Sequence, residues 1–294
     1  MIDAGTPSIT AWDIGELRSH IGREAYASDR VQAATVCQLL DIVDQRGGKP
    51  AEGQSAPLGI HWCLAPPDVR RSGLQEDGHP QFAHTILPPV PEARRMWAGG
   101  EIVWHAPIRI GDVVTRRSVV SDVSLKEGRS GVLCFVELRH DYSTERGPAI
   151  IERQDIVYKR SRADALTGRP GTLAPAGRAV RTCTFSTDPV QLFRYSALTG
   201  NAHRIHYDYP YATGVEGYPG LVVHGPLQAT MLMQAAATLA ESPPARFVYR
   251  AVSPIFCGEK VILFRGRAGA AAAFWTANAD GRVGMRADVQ WGPA

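Results

Sequence analysis

Pro254-Ile255-Phe256-Cys257-Gly258-Glu259-Lys260-Val261 repeats, in pattern, a stretch half a chain length earlier, Pro107-Ile108-Arg109-Ile110-Gly111-Asp112-Val113-Val114. The shared form is P-I-x-x-G-[DE]-x-V. Each copy follows an alternating, strand-like run, at 101–105 in one case and 246–250 in the other. A glycine and an acid between two apolar runs read as a turn that opens a strand. The same signature in the same context predicts an internal duplication, two related halves in one chain.

The coarse pattern of the halves agrees. A helix is expected over 29–45, where Val31, Ala34, Val36, Leu39, Leu40 and Ile42 recur mostly at helical spacing. Its counterpart is expected over 226–241, with Leu227, Met231, Leu232, Ala235 and Leu239. Asp29 and Pro226 are start signals, and Ser242-Pro243-Pro244 is a stop. Strands are expected at 100–104, 112–123, 131–143 and 149–159, then at 246–251, 260–267, 271–278 and 284–291. Long antiparallel strands around one buried helix per half make an α+β fold. The stretch 161–178 contains Gly168-Arg169-Pro170-Gly171 and Pro175-Ala176-Gly177 without an apolar period, so it reads as a linker. The expected division is a first half over 1–160, a linker over 161–178 and a second half over 179–294.

Bulk properties remove several classes. The 294 residues are 44% hydrophobic and 21% charged, the balance of an ordinary globular protein with a sizeable core. A net charge of +3 with scattered Lys and Arg does not fit a nucleic-acid partner, though it suits an anionic small molecule. The five cysteines, at 37, 63, 134, 183 and 257, are odd in number and show no C-x-x-C spacing. No zinc site or disulfide framework is expected, and a reducing compartment is. The opening Met1-Ile2-Asp3-Ala4-Gly5-Thr6-Pro7 has neither the basic start nor the apolar run of a signal peptide. No stretch reaches the ~20 apolar residues of a membrane span. A cytoplasmic protein with no membrane partner is expected.

The densest chemistry lies in the second half. Tyr195-Ser196-Ala197-Leu198-Thr199-Gly200-Asn201-Ala202-His203-Arg204-Ile205-His206-Tyr207-Asp208 is followed by Gly220-Leu221-Val222-Val223-His224-Gly225-Pro226-Leu227. The first segment gathers an amide and two imidazoles beside a glycine. The second reads as a buried strand running into a glycine-proline helix start. Imidazoles near an open helix N-terminus suit proton transfer next to an acyl carbonyl, which points to an enzyme. No G-x-G-x-x-G after a strand, no G-x-S-x-G elbow and no P-loop occurs, which disfavours dinucleotide enzymes, serine hydrolases and nucleotide triphosphatases.

These two segments resemble the hydratase-2 motif of MaoC-like enoyl-thioester hydratases, most nearly the branch of type 2 hydroxyacyl-thioester dehydratases and mesaconyl-C4-CoA hydratases. Leu87-Pro88-Pro89-Val90-Pro91, Arg95-Met96-Trp97-Ala98-Gly99-Gly100 and Arg153-Gln154-Asp155-Ile156-Val157-Tyr158 resemble the first half of that branch. The likeness therefore runs through both halves. It implies a double hot-dog fold, two strand-wrapped helices whose sheets join into one. It implies reversible addition of water across the α,β double bond of an acyl thioester, with CoA or acyl carrier protein as the carrier. A branched or dicarboxylic acyl group such as mesaconyl-C4-CoA is included. The expected chemistry needs no cofactor and no metal, and a homodimer is expected by resemblance.

The resemblance places the acid–base work in the loop of Asn201 and His206, with His206 the principal base and acid, since its type titrates near neutrality. The commoner family pattern reads G-D-x-N-P-x-H, and this chain departs from it. Asn201 stands where that pattern has aspartate, His203 where it has asparagine, and Arg204 where it has proline. An amide exchanges no proton near pH 7 but can hold a water, so Asn201 is cast as orienting it. Either His203 is the missing proton carrier or His206 serves both steps. The start of the helix at Gly225 is the expected oxyanion site, and the bare glycine would let the thioester approach closely. Pro226 contributes no donor. His224 either joins that site or packs the end of the strand. Tyr195 and Tyr211 are candidates for the acyl pocket, Arg94, Arg95 and the Trp97 segment for contact with substrate, and Asp208 for bracing the loop. The first half has no comparable segment at 20–29, so one active site per chain is expected. The histidines at 20, 61, 79, 84, 105 and 140 show no partner spacing and receive no role. A thioesterase on the same fold and a non-catalytic acyl-thioester-binding module are the competing readings.

Overall fold

A computed structural model describes residues 12–45, 47–91, 93–128, 131–159, 180–239, 242–266 and 271–292. The expected linker at 161–178 and the opening residues 1–11 lie outside the described residues.

The repeated signature forms the same turn twice. Gly111 and Gly258 both hold positive φ, 96° and 89°, which a side chain would strain. The acid that follows closes each turn on the residue three positions back. The Asp112 carboxylate accepts the Arg109 N–H at 2.6 Å, and the Glu259 carboxylate accepts the Phe256 N–H at 3.0 Å. The Gly111 N–H reaches the Val31 carbonyl at 2.8 Å and the Gly258 N–H that of Thr187 at 2.9 Å, so each turn is tied to the chain leaving a first strand.

Those first strands are β1 (Glu24–Arg30) and β6 (Val180–Ser186). The others are β2 (Arg94–Trp104), β3 (Val113–Gly128), β4 (Gly131–Thr144), β5 (Gly147–Lys159), β7 (Pro244–Ala251), β8 (Lys260–Arg265), β9 (Ala271–Ala277) and β10 (Val283–Trp291). They form a single sheet in the order β1-β3-β4-β5-β2-β7-β10-β9-β8-β6. Every pairing is antiparallel, and the order of the first five strands is mirrored by that of the last five. The two halves meet at β2 and β7, where Gly99 to Val103 run opposite Arg250 to Arg246. The expected strands correspond to β2–β5 and β7–β10. The outermost two, β1 and β6, went unanticipated because they are short and, at Glu-Ala-Tyr-Ala-Ser-Asp-Arg and Val-Arg-Thr-Cys-Thr-Phe-Ser, carry few large apolar residues. Short polar strands at a sheet edge limit pairing with other chains.

Among the described residues the α-helices are α1 (Ile14–Arg18), α2 (Ala33–Ile42), α3 (Pro189–Thr199) and α4 (Gly225–Ala237). Every residue of α4 from Leu227 to Ala236 is buried, as in a helix enclosed on all sides, and it lies against β7, β9 and β10. This strand-wrapped helix within a continuous antiparallel sheet is the double hot-dog architecture. The expected pairing of helices is corrected by the order of elements. α2 follows β1 as α3 follows β6, so α2 corresponds to α3, not to α4. Between α2 and β2 the first half carries a long segment with three 3-10 turns, at Ile60–Cys63, Arg71–Gly73 and Phe82–His84. Its many glycines and prolines interrupt any helical period. α2 also starts later than expected. Asp29 lies within β1 rather than capping the helix, and its carboxylate accepts the Ala65 N–H at 2.9 Å. The buried strand expected at 220–224 is only a single bridge, Val222 to Phe256.

Candidate active site

The loop between α3 and α4 begins where Gly200 ends α3 in the left-handed conformation, φ 64°. The Asn201 N–H then caps the Ser196 carbonyl at 2.9 Å. The Asn201 side-chain oxygen accepts the His203 N–H at 3.1 Å, which folds the loop and leaves the amide –NH2 as the end able to meet a water or hydroxyl. One 3-10 turn, Arg204–His206, follows. Asp208 braces it, accepting from Arg204 Nε at 2.9 Å and from the Tyr211 N–H at 3.1 Å.

His206 is set by the segment that leads into α4. The Val222 N–H reaches the Ile205 carbonyl at 2.9 Å, and the His206 Nδ1 lies 2.8 Å from the Val222 carbonyl oxygen. A carbonyl only accepts, so Nδ1 carries the proton and Nε2 keeps its lone pair. Burial pushes the pKa of His206 down to about 4, against the opposing pull of the Val222 carbonyl. The ring is therefore neutral at pH 7 and able to accept a proton.

The other imidazoles stack around it. His224 lies parallel to His206 with centroids 3.7 Å apart, fully buried, its Nε2 2.8 Å from Ser196 Oγ. Tyr195, buried in α3, meets His224 edge-on at 5.0 Å and sets its hydroxyl 3.4 Å from Thr230 Oγ1. His224 thus lies against His206, and Tyr195 against His224. His203 meets His206 edge-on at 5.6 Å and is half-buried. Burial is the main cause that depresses the pKa of His203 and His224 as well.

His224 is also the N-cap residue of α4, with Gly225 and Pro226 opening the helix. The first N–H groups of a helix have no intrahelical acceptor, and the helix dipole places about half a positive charge there. Such a terminus suits a developing oxyanion. The space that a Gly225 side chain would occupy is filled by the Trp97 indole of β2, 2.7 Å from the position of a Cβ. The glycine admits that ring, so on this side it is Trp97 that approaches closely. Trp97 in turn stacks on Tyr249 with centroids 4.5 Å apart.

The first half reaches the same place through residues to which the sequence assigned no role. The turn at 76–79 lies directly on the histidine loop. The Arg204 N–H donates to the Asp77 carbonyl at 2.9 Å, and its guanidinium to the Glu76 carbonyl at 3.0 Å. Gly78, at φ 94°, touches the loop so closely that a Cβ would stand 1.8 Å from the Ala202 carbonyl oxygen. His79 is carried beyond it, its ring 4.3 Å from that of His203 and its Nδ1 2.8 Å from Asp77 Oδ2. The donor atoms of Asp77, His79 and His203 lie within 4.8 Å of one another, a spacing that could admit a cation, but the shortest of these contacts is already a good hydrogen bond. The only sequence signal was an aspartate two residues before a histidine in a glycine turn, which is too common to single out. The two arginines of β2 part company. Arg94 is bound to Glu216, with Nε 2.7 Å from the carboxylate. The charge of Arg95 falls on His79 and His203 and contributes to lowering the pKa of both.

Comparison with known proteins follows the same outline. The family described as hydroxyacyl-thioester dehydratase type 2 matches residues 59–257, which takes in the 76–79 turn, the histidine loop and the start of α4. A mesaconyl-C4-CoA hydratase of Chloroflexus aurantiacus is 41% identical over 80% of this chain and 84% of its own. A mitochondrial hydroxyacyl-thioester dehydratase type 2 of Schizosaccharomyces pombe is 28% identical over 68% of this chain and 73% of its own. Among solved structures, a MaoC-like dehydratase from Phytophthora capsici superposes with a TM-score of 0.71, covering 96% of this chain and 98% of that one at 15% identity.

Proposed function

We infer the activity from one premise: the chain belongs to the hydroxyacyl-thioester dehydratase type 2 family. It is a hydro-lyase that adds and removes water reversibly across the α,β double bond of an acyl thioester. The observation that carries the reading to residues is the His206 imidazole. Its Nδ1 is held by the Val222 carbonyl, and its ring stacks on His224, the residue that caps α4.

In this reading His206 Nε2 removes the C2 proton of a 3-hydroxyacyl thioester, and returns a proton to C2 in the hydration direction. The enolate oxygen is met by the backbone N–H groups that open α4, around Gly225. The Asn201 amide orients the water or leaving hydroxyl. His224 supports the His206 ring, and Tyr195 supports His224. The second half carries this chemistry, once per chain, and the first half supplies the facing wall. CoA or acyl carrier protein brings the substrate, and the reaction asks for no cofactor. Arg95 suits an acyl group bearing its own carboxylate, as in mesaconyl-C4-CoA, because a guanidinium attracts and hydrogen-bonds an anion. A homodimer and a cytoplasmic location belong to the same reading and rest on resemblance and on the sequence. Among the described residues no helix is long and apolar enough to cross a membrane.

The test is incubation of the protein with crotonyl-CoA and mesaconyl-C4-CoA while enoyl-thioester absorbance and free thiol are followed together. Loss of absorbance without thiol is expected. Release of thiol would instead make the protein a thioesterase, and silence in both channels would leave the binding module.

A further inference from the structure

A single imidazole of low basicity leaves half of the chemistry short of a partner. Dehydration needs a base at C2 and an acid that protonates the departing hydroxyl. The position that supplies a carboxylate in the commoner motif is Asn201 here, and its amide has no exchangeable proton near neutrality. The fold brings a carboxylate back from the other half of the chain. Asp77 accepts two hydrogen bonds from His79, Oδ1 from the backbone N–H at 2.8 Å and Oδ2 from Nδ1 at 2.8 Å. A carboxylate only accepts, so the Nδ1 proton is fixed and His79 Nε2 is the atom left free. The side chain of His79 is 11% exposed, next to His203 and within the field of His206.

We propose that His79 is the second catalytic acid–base of this site, with Asp77 as its positioning residue, in the role the commoner motif gives to the aspartate replaced by Asn201. This rests on the hydro-lyase reading above and names the group that reading lacks. Of the four clustered imidazoles, His79 is the one with a carboxylate on its ring, so a proton held by the cluster is best compensated there. In dehydration the C2–H bond breaks, and its proton goes to His206 Nε2. The electron pair enters the enolate and then expels the C3 oxygen, which takes the Nε2 proton of the His79 imidazolium and leaves as water. Hydration runs in reverse, with water giving its proton to neutral His79 and His206 returning one to C2. The reacting form of the cluster carries one proton throughout the turnover, and transfer between His79 and His206 resets it.

The surroundings fit that division. His79 faces Asp77 on its own turn, Arg95 of β2, and His203 and His206 of the motif loop. Asp77 also feels Tyr158 of β5 and Tyr211. Burial opposes ionisation of Asp77, but the His79 hydrogen bonds and charge outweigh it and hold the carboxyl well below its usual range. Burial and Arg95 lower the pKa of His79, and the Asp77 carboxylate opposes them, so Asp77, negative at pH 7, is the group that balances the imidazolium when it forms.

The test compares Asp77→Asn and His79→Gln with the wild type in kcat, KM and the pH profile of kcat, alongside thermal melting and metal analysis of the purified proteins. Both variants are expected to lose about 10²-fold or more in kcat with little change in KM. The wild-type rate falls at high pH as the shared proton is lost. In Asp77→Asn that limb is expected about one unit or more lower, because the imidazolium has lost its counter-charge. Should Asp77→Asn melt out, His79→Gln carries the test alone. Retention of kcat within about threefold in a folded variant would overturn the proposal, as would a lower rate with an unmoved pH limb, which marks a merely structural pair. A bound metal whose removal abolishes activity would also overturn it, since the three donors would then be ligands. A wild type inactive on every enoyl thioester would instead sink the functional reading itself.

Discussion

At the scale of the residue, the site is governed by burial and by which hydrogen bonds fix each ring. His206 owes its neutral, accepting form to burial and to one carbonyl, that of Val222. Arg95 is the residue whose role is most open to test by substrate choice. It shares a face of β2 with Trp97, two positions along, and Trp97 packs against Gly225 at the start of α4. Replacing Arg95 by Met is expected to raise KM for mesaconyl-C4-CoA by about tenfold or more, while crotonyl-CoA changes little, since a charge-assisted hydrogen bond contributes about 1.5–3 kcal/mol. Equal effects on both substrates would remove Arg95 from recognition of a carboxylate. Asn201, His203 and His206 were legible as candidates in the sequence because they share one contiguous motif. His79 was not, because an aspartate two residues before a histidine is a common pairing, and His203 meets His79 only through a close approach of two loops, which sequence spacing does not encode.

Among the elements, the decisive contact is that between the 76–79 turn and the histidine loop. Gly78 is confined twice over, by its positive φ and by the Ala202 carbonyl against its Cα. Gly78→Ala is expected to destabilise the protein by about 1–3 kcal/mol from backbone strain alone, and to lower activity by parting His79 from His203. Urea denaturation and the hydration rate measure the two effects, and wild-type values in both would show that the loops need not touch. The strands β2–β5 and β7–β10 could be read from their alternation and from the repeated turn, whose glycine and acid act locally. The matching of α2 with α4 could not. Both are apolar at helical spacing, and only the tertiary order of elements shows that α2 pairs with α3, while the first half fills the place of a central helix with a glycine- and proline-rich loop.

For the molecule as a whole, the buried histidines make stability depend on pH. Burial holds the pKa of His61 at about 3, of His140 at about 4 and of His206 at about 4, and it depresses those of His79, His203 and His224. Their unfolded values lie near 6.5, so below that pH the unfolded chain binds more protons than the folded one. The stability they confer is whole above about pH 6.5 and is lost as pH falls toward 4, at up to about 1.4 kcal/mol per histidine per pH unit. The melting temperature is expected to drop by several degrees between pH 7.5 and 5, and a flat profile would mean that these rings are solvated in solution. The same burial that costs stability in acid keeps His206 unprotonated where the chemistry needs it. The most direct measurement is the rate of crotonyl-CoA hydration by wild type and by His206→Gln, with matched melting curves. A folded variant that has lost about 10²–10⁴-fold in kcat is the expected result. A folded variant that hydrates at close to the wild-type rate would contradict the site.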